Sequence, residues 1–298
     1  MTTPDTPPDT TSIPADLPDV DETPVPRRAG RNLPAAIGVG LVLAAVVVGS
    51  LYLKRPFFGI GVVGIAAGIG MWEVIRALRA GGVPVPMPPL LVGGPSMVAA
   101  AYLRGADGLS FALVLTVLAA MAWMVAENAP DYLRGLSGAT LVIVYVPLLA
   151  SFAALLAAPD DGATRVIAFV AVTACSDIGG YAFGSVLGKR PMAPTISPKK
   201  SWEGFAGSAA ACLAFGGAVV PLMLDISAWQ GVAFGGVAVI AATVGDLGES
   251  LIKRDLGIKD MSDLLPGHGG LMDRLDSLLF VAPCAWLMLS VWAPPIIS

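Results

Sequence analysis

The chain has 298 residues, of which 55% are hydrophobic and 13% are charged, whereas about 25% of residues are charged in a typical soluble domain. Its 18 lysines and arginines and 22 acids give a net charge of −4 at pH 7. This composition excludes an ordinary soluble enzyme, a disordered chain and a basic protein with a nucleic-acid partner. The apolar runs of about 18–23 residues are long enough to cross a membrane, so we predict a polytopic membrane protein.

Residues 1–32 differ from the rest of the chain, because they contain seven prolines, six acids and few large apolar side chains. Such a segment cannot bury enough surface to fold, and it lacks the basic region of a secretory signal. We expect a disordered Pro/Asp-rich cytoplasmic tail here. N-terminal transmembrane helices are expected in residues 33–160, and a C-terminal transmembrane region that carries the chemistry in residues 161–298.

Nine apolar spans follow the tail, and we predict that they are helices. Backbone polar groups in lipid must be satisfied within the segment, and the sequence lacks the alternating polarity of a membrane β-barrel. The predicted fold class is therefore all-α, with about nine transmembrane helices. The third span is short and rich in proline and glycine. The predicted spans are 33–53, 57–78, 89–103, 109–126, 137–158, 165–187, 204–224, 229–249 and 273–293.

The distribution of positive charge orients the chain in the membrane. Arg27, Arg28 and Arg31 precede the first span, which predicts a cytoplasmic N-terminus in the inner (cytoplasmic) membrane of the cell. The loops 188–203 and 250–272 are separated by two spans, so they lie on the same side. Their lysines and arginines make this the cytoplasmic side, where we expect the active site.

Charged residues lie within the second and the sixth apolar spans. Glu73 and Arg76, near the end of the second span, have an i, i+3 spacing and are predicted to form a salt bridge at the membrane interface. Asp177 lies near the middle of the sixth span, with Tyr181 one turn later. A carboxylate inside the membrane is expected to face a polar cavity or a partner, although a hydrogen bond between helices would also satisfy it.

A Ser-Pro-Lys-Lys motif follows the sixth span. Serine before proline is typical of a helix start, with Ser197 as the N-cap and Pro198 as the first helical residue. Lys199 and Lys200 would then lie in the first turn, where the helix dipole disfavours cations unless an anion such as a triphosphate lies between them. The alternative is a basic cytoplasmic loop without a specific role.

Residues 246–276 hold seven of the 22 acids and four of the 18 bases. One polar stripe on the apolar eighth span is formed by residues with i, i+3, i+4, i+7 spacing, namely Asp246, Glu249, Ser250 and Lys253. A stripe that faces inward would hold a divalent cation through its carboxylates. The alternative is a helix end that emerges into water with ordinary charged residues.

A glycine-rich turn with His268, Gly269 and Gly270 leads into the ninth span, which begins with Asp273 and Asp276. Such turns let backbone N–H groups converge on an anion, and the helix N-terminus adds its dipole. The two carboxylates share a helix face, which favours Mg²⁺ held by acids and substrate phosphates. An acidic first turn is also a common stabilising feature. For His268, the only histidine, a phosphate contact and a structural role both remain open.

These motifs together indicate a class of reaction. Acids for Mg²⁺ and lysines for phosphates are predicted on one membrane face, and the sequence has no plausible Ser/His/Asp triad or cysteine nucleophile. Phosphoryl and nucleotidyl transfer need metal ions, cations and in-line positioning more than covalent help from the protein. The membrane setting implies that one substrate is a lipid.

Residues 250–276, from Ser250-Leu-Ile-Lys-Arg to Asp273-Arg-Leu-Asp276, resemble the signature of the phosphatidate cytidylyltransferase (CDP-diacylglycerol synthase) family over 27 consecutive positions. Residues 197–204 resemble a second conserved segment of that family and residues 177–184 a third. The resemblance implies the reaction of CTP with phosphatidate to give CDP-diacylglycerol and pyrophosphate in phospholipid biosynthesis. It also implies a homodimer and a Mg²⁺ requirement, with room for a second cation.

The resemblance also implies roles for individual residues. The cations would be bound by Asp246, Asp273 and Asp276. The CTP phosphates would be held by Ser197, Lys199 and Lys200. The transferred or lipid phosphate would be neutralised by Lys253, a catalytic residue, and by Arg254, Lys259 and Arg274. The substrate-binding set is completed by Asp177, Tyr181, Glu203, His268, Gly269 and Gly270.

Two alternatives to this function remain. A CTP-dependent polyprenol or phytol kinase would share the membrane setting and the nucleotide, but the 27-residue signature argues against it. An ion-coupled transporter would carry charges near the midplane of several spans and would show inverted repeats. Here the charges gather in two loops on one face, so the transporter is disfavoured.

Overall fold

The computed structural model describes residues 42, 45–53, 56–128, 131–264 and 269–293. The predicted tail, most of the first predicted span and His268 lie outside the described residues. Seven helices in the described part are long and apolar enough to cross a membrane. They are α1 (Phe57–Ala80), α2 (Met87–Ala126), α3 (Tyr132–Ala157), α4 (Gly162–Leu187), α5 (Trp202–Leu224), α6 (Ala228–Asp255) and α7 (Met272–Trp292). The prediction of an all-α, multi-pass membrane protein is confirmed.

Most predicted spans match these helices within a few residues. The eighth span was predicted to end at residue 249, whereas α6 continues to Asp255. Lys253 and Arg254 therefore lie on the last turn of a helix, where they complement the negative end of its dipole. The continuation places the whole stripe from Asp246 to Lys253 on one rigid element.

Helix α2 contains the third and fourth predicted spans and turns back on itself at Gly105. Gly105 has φ +65° and ψ −151°, a backbone conformation that residues with a side chain rarely adopt. A Cβ atom on Gly93 would lie 2.4 Å from the Thr116 side chain, although a straight helix would separate these residues by about 35 Å. The two halves are therefore antiparallel helices, as the predicted spans 89–103 and 109–126 require. The total of nine spans stays a prediction, because the span 33–53 lies mostly outside the described residues.

Helix α3 is interrupted by a π-helical segment, Val144–Leu148, which contains Pro147. Proline has no N–H to donate to the helix, and a π-segment accommodates the resulting gap in the ladder. The wider turn directs Tyr145 into the protein, where it is 6% exposed and packs edge-on against Phe280 of α7.

A small antiparallel hairpin, β1 (Pro191–Ala193) and β2 (Ser197–Ser201), precedes α5 and was not predicted. The predicted helix start at Ser197 is wrong, since Ser197 to Lys200 are extended. The cap of α5 is Ser201, whose Oγ accepts a hydrogen bond from the Gly204 N–H at 3.1 Å. The later start is physically favourable, because it puts the acid Glu203 in the first turn instead of two lysines.

Small residues allow helices α4 to α7 to approach each other closely. A Cβ on Gly179 of α4 would lie 2.5 Å from the carbonyl oxygen of Gly207 in α5. A Cβ on Gly245 of α6 would lie 2.5 Å from the carbonyl oxygen of Asp276 in α7. Close backbone approach of this kind is typical of helix packing in membranes. It brings the polar residues of α4, α6 and α7 together at one end of the bundle.

Candidate active site

A cavity of about 220 Å³ lies between α4, α5, α6 and the hairpin. Five residues predicted from the sequence line it, namely Asp177, Tyr181, Lys199, Lys200 and Asp246. The hydroxyl-bearing residues Ser176, Ser208, Thr243 and Ser277 also line it and were not predicted. The polar residues that the chain distributes over about 100 positions therefore meet in one place.

Lys200 connects the hairpin to α6. Its Nζ lies 2.6 Å from Oδ2 of Asp246, and both side chains are only partly exposed. The charge of Asp246 also interacts with those of Asp177 and Asp276. Three acids from three helices thus share one electrostatic environment, and an ammonium group offsets part of their repulsion.

Lys253 forms a second cluster deeper in the protein. Its Nζ donates to Oε2 of Glu249 and to Oδ1 of Asp273, each at 2.7 Å. The other oxygen of Asp273 accepts hydrogen bonds from the backbone N–H groups of Met261 at 3.0 Å and Gly270 at 2.7 Å. Asp273 therefore joins α6, the loop after it and the start of α7.

Asp276 and Arg274 complete the polar face of α7. Oδ1 of Asp276 accepts a hydrogen bond from the Ser277 N–H at 2.6 Å. Arg274 is exposed, and its charge interacts with that of Asp177. Asp273 and Asp276 therefore lie close to the polar residues of α6, whereas the α7 residue in the cavity lining is Ser277.

The glycine turn before α7 binds carboxylates of the protein itself. Gly269 has φ +76°, which favours glycine, and a Cβ there would lie 2.9 Å from Oδ2 of Asp273. The N–H groups of Leu271 and Met272 donate to Glu73 of α1 at 2.9 and 2.7 Å. The prediction that N–H groups of this turn converge on a substrate anion is therefore wrong for Gly270, Leu271 and Met272, because acidic side chains already occupy them.

The predicted salt bridge between Glu73 and Arg76 is also wrong. Glu73 is fully buried, and its carboxylate accepts hydrogen bonds from the Ser262 hydroxyl and from the N–H groups of Leu271 and Met272. The guanidinium of Arg76 lies 5.4 Å from the ring centroid of Trp72 on the same helix. An i, i+3 spacing permits a pair on the helix surface, but a carboxylate that faces inward finds backbone donors instead.

Besides Gly269, Gly270 and Arg274, four further predicted substrate-binding residues lie outside the cavity lining. Glu203 accepts hydrogen bonds from the N–H groups of Lys189 and Arg190, both at 3.2 Å, and so closes the hairpin. Arg254 donates from Nε to the Ile196 carbonyl at 3.2 Å and holds the hairpin tip against α6. The other two are Ser197, which pairs with Ala193 in the hairpin, and Lys259, which is exposed in the loop after α6.

The donors in this region suit a hard divalent cation, because they are carboxylate oxygens. Glu249 is 1% exposed, and its Oε1 has no hydrogen-bond partner within the described part of the chain. The same holds for the buried hydroxyl of Tyr145, which interacts with the charges of Glu249 and Asp276. Buried oxygens without partners indicate a missing cation, water or proton. Sequence reasoning placed Glu249 in the polar stripe but did not include it among the site residues, and it missed Tyr145.

The carboxylates do not form a ready-made metal cage. Among the residues described, no three His, Cys, Asp or Glu side chains converge as a metal-binding group. Instead, Lys200 and Lys253 provide positive charge to Asp246, Glu249 and Asp273. The chemistry of the donors fits Mg²⁺, and in the structure ammonium groups neutralise the same carboxylates.

Comparisons with known proteins identify sequences similar to this chain. Residues 34–292 match the model of a family described as the cytidylyltransferase family. The chain is 41% identical over 280 residues to a phosphatidate cytidylyltransferase of Mycobacterium leprae, with 89% of each chain covered. It is 40% identical over 277 residues to one of Mycobacterium bovis, covering 89% of this chain and 90% of the relative. A protein of the same name from Brucella suis is 39% identical over 134 residues, covering 45% of this chain and 50% of the relative.

Proposed function

Since the chain belongs to the cytidylyltransferase family, we propose that it transfers CMP from CTP to phosphatidate and makes CDP-diacylglycerol and pyrophosphate. The observation that supports this function for the cavity is the ion pair between Lys200 of the hairpin and Asp246 of α6. It joins a lysine-bearing segment suited to a triphosphate with acids suited to a cation. This combination is what nucleotidyl transfer requires.

The reaction proceeds by in-line displacement at the α-phosphorus of CTP. An oxygen of the phosphatidate phosphate forms a new bond to the α-phosphorus, and the bond from this phosphorus to the bridging oxygen of the β-phosphate breaks. Pyrophosphate leaves with the electron pair. The attacking phosphate is already an anion, so the protein needs no strong general base. Its main tasks are to position two anionic substrates and to offset their charge.

The lysines and arginines of the site supply this positive charge. Lys199 and Lys200 line the cavity and would bind the triphosphate of CTP. Lys253 of α6 and Arg274 of α7 would neutralise the lipid phosphate. The hydroxyls of Ser176 and Ser208 in the cavity wall would orient bound groups by hydrogen bonds.

The acids would hold Mg²⁺ when the substrates bind. Asp246, Asp273 and Asp276 are the proposed ligands. Glu249, whose Oε1 has no hydrogen-bond partner among the described residues, adds a fourth carboxylate. When bound, the ion would offset the negative charge that develops on the leaving pyrophosphate. Lys253 contacts both Glu249 and Asp273, so it would keep these carboxylates oriented.

We also propose the setting of the reaction. The protein would act in the inner (cytoplasmic) membrane as a homodimer, with its N-terminus and its cavity on the cytoplasmic side, where CTP is available. The lipid substrate would come from the bilayer. The excess of positive charge in the loops around the cavity supports this orientation.

Purified protein with phosphatidate, Mg²⁺ and CTP labelled in either the α- or the γ-phosphate tests the proposed reaction. We expect label in the lipid from α-labelled CTP and label in pyrophosphate from γ-labelled CTP. Transfer of the γ-label to a lipid would instead show a CTP-dependent lipid kinase. Absence of labelled lipid with both substrates would contradict the proposed function.

A further inference from the structure

Glu73 is a fully buried carboxylate in helix α1, whose other charged residues are Arg76 and Arg79 near its end. Its Oε1 accepts hydrogen bonds from the Ser262 hydroxyl at 2.5 Å and from the Leu271 N–H at 2.9 Å. Its Oε2 accepts from the Met272 N–H at 2.7 Å. A buried charge is costly unless it is fully hydrogen-bonded, and Glu73 meets that condition with three donors.

These donors lie at both ends of the loop that leads into α7. Ser262 lies early in the loop, and Leu271 and Met272 form the N-terminus of the helix. The first N–H groups of a helix have no acceptor within it, and the helix dipole makes this end positive. Glu73 therefore supplies from another helix the anion that the start of α7 requires. A Cβ on Gly270 would lie 2.8 Å from Oε1 of Glu73, so the turn also fits closely around the carboxylate.

The opposite end of α7 is held by a buried cation. Arg165 of α4 is 3% exposed and donates to the carbonyl oxygens of Leu289 and Ala293 at the C-terminus of α7. A cation at this end and an anion at the other both match the helix dipole. The two ends are about 30 Å apart, so the two contacts act on different parts of the helix.

The first turns of α7 carry Asp273 and Asp276. Asp273 lies one residue after Met272, whose N–H is bound to Glu73, and its own carboxylate accepts from the Gly270 N–H. We propose that Glu73 is a positioning residue, which fixes the position and rotation of the start of α7 and so orients these two carboxylates relative to the polar residues of α6. This inference rests on the proposed cytidylyl transfer and adds to it a residue from the N-terminal helices.

The variant Glu73→Gln tests the proposal, because it keeps the size of the side chain and removes the buried charge. The oxygen of the glutamine amide can accept a hydrogen bond from one backbone N–H. Its NH₂ group would face the other donors and cannot accept from them. In full-length protein in detergent, hydrogen–deuterium exchange without metal should become faster over residues 269–274 only. The turnover rate should fall about 10- to 100-fold and half-saturation by Mg²⁺ should rise about tenfold, as for residues that orient metal ligands. The KM for CTP should change less than about twofold.

Arg165→Gln is the matched control, since it removes the buried charge at the other end of the same helix. It should lower the thermal unfolding midpoint and speed exchange near residues 289–293, with the Mg²⁺ dependence unchanged. Gly270→Ala is a second probe of the Glu73 contact, because its new methyl group displaces the carboxylate. It should reproduce the faster exchange over residues 269–274 even if Glu73→Gln does not fold.

The outcomes separate the positioning role from the proposed function. If Glu73→Gln had the turnover rate, the Mg²⁺ dependence and the hydrogen–deuterium exchange of the wild type, the positioning role would be overturned. A slow variant whose exchange rises along the whole chain would also overturn it, because Glu73 would then support the fold in general. Wild-type protein that forms no CDP-diacylglycerol would contradict the proposed function, whereas the local exchange result would still show whether Glu73 holds the turn.

Discussion

Buried hydroxyl groups are satisfied differently in the N-terminal helices α1–α3 and in the C-terminal helices α4–α7. In the N-terminal helices, Thr116 and Ser151 donate to carbonyl oxygens of their own helix, at 2.7 and 2.6 Å. In the C-terminal helices, Thr173 also donates within its helix, but Ser208 of α5 donates to the Ser176 carbonyl of α4 at 2.6 Å, and Ser277 of α7 donates to the Ala242 carbonyl of α6. The N-terminal helices therefore pack mainly through apolar contacts, whereas polar bonds between helices tie the C-terminal ones together.

The two regions also differ in buried charge. The Lys253 cluster and the Lys200–Asp246 pair both belong to the C-terminal region. In the N-terminal helices, Glu73 is a fully buried carboxylate, and its hydrogen bonds go to the C-terminal region. Buried charge near the cavity therefore marks the site or what supports it, whereas the buried Arg165 binds the far end of α7.

The largest expected effect comes from the cluster around Lys253. Asp273→Asn should lower the rate of CDP-diacylglycerol formation by about 10³-fold, because the site loses an anionic oxygen where charge must be balanced. The exposed acid of the same loop, Asp263, provides the control Asp263→Asn, which should retain the wild-type rate. A folded Asp273→Asn protein, checked by size-exclusion chromatography, with near-normal turnover would remove the role of Asp273 in catalysis.

The next largest effect concerns CTP. Lys199→Ala should raise the KM for CTP about tenfold, the equivalent of one lost charge-assisted hydrogen bond, with a smaller change in kcat. Initial rates at varied CTP concentration measure it. Lys189→Ala is the matched control, because Lys189 precedes the hairpin and does not line the cavity. An unchanged CTP dependence in Lys199→Ala would show that this lysine does not bind the triphosphate.

Two serine variants test the contrast between the regions directly. Ser208→Ala removes a bond between helices and should cost about 1 kcal/mol of unfolding free energy. Ser151→Ala is equally conservative and Ser151 is also buried, but its bond lies within one helix, so its cost should be clearly smaller. Thermal unfolding in the same detergent measures both. An equal loss of stability would remove the distinction that these hydrogen bonds suggest.

The smallest effect is expected from the segment that precedes both regions. Deletion of residues 2–26 should leave the rate of lipid product formation unchanged, because the composition of this segment does not favour a folded structure. The assay is the same labelled-CTP reaction with the shortened and the full-length protein. An inactive shortened protein would show that the tail contributes to function.

Much of the architecture could be predicted from the sequence. Apolar runs with the length of the bilayer identified the helices, because hydrophobicity and length are local properties. The break between the spans 89–103 and 109–126 was also predicted, and Gly105 provides the turn. Within the site, the sequence placed Asp246 and Lys253 on one helix, which α6 shows, but it did not predict their ion pairs with Lys200, Glu249 and Asp273.

The errors concern interactions whose partners are far apart in the sequence. Ser197 and Ser201 are both plausible helix caps, and the pairing of β2 with β1 decided between them. The glycine turn resembles an anion-binding site, but its anion is Glu73, almost 200 residues earlier. The only signal for Glu73 in the sequence was an acid inside an apolar span, and a salt bridge with the nearby Arg76 was the local explanation.

The central claim is that the acids of α6 and α7 and the lysines of the hairpin form one site for a divalent cation and CTP. Titration of the purified protein with Mn²⁺ in the presence of CTP, followed by electron paramagnetic resonance, tests it most directly, because Mn²⁺ prefers the same oxygen ligands as Mg²⁺. We predict CTP-dependent Mn²⁺ binding by the wild type and binding weaker by at least about tenfold in the Asp246→Asn/Asp276→Asn protein. Equal Mn²⁺ binding by the two proteins would contradict the claim.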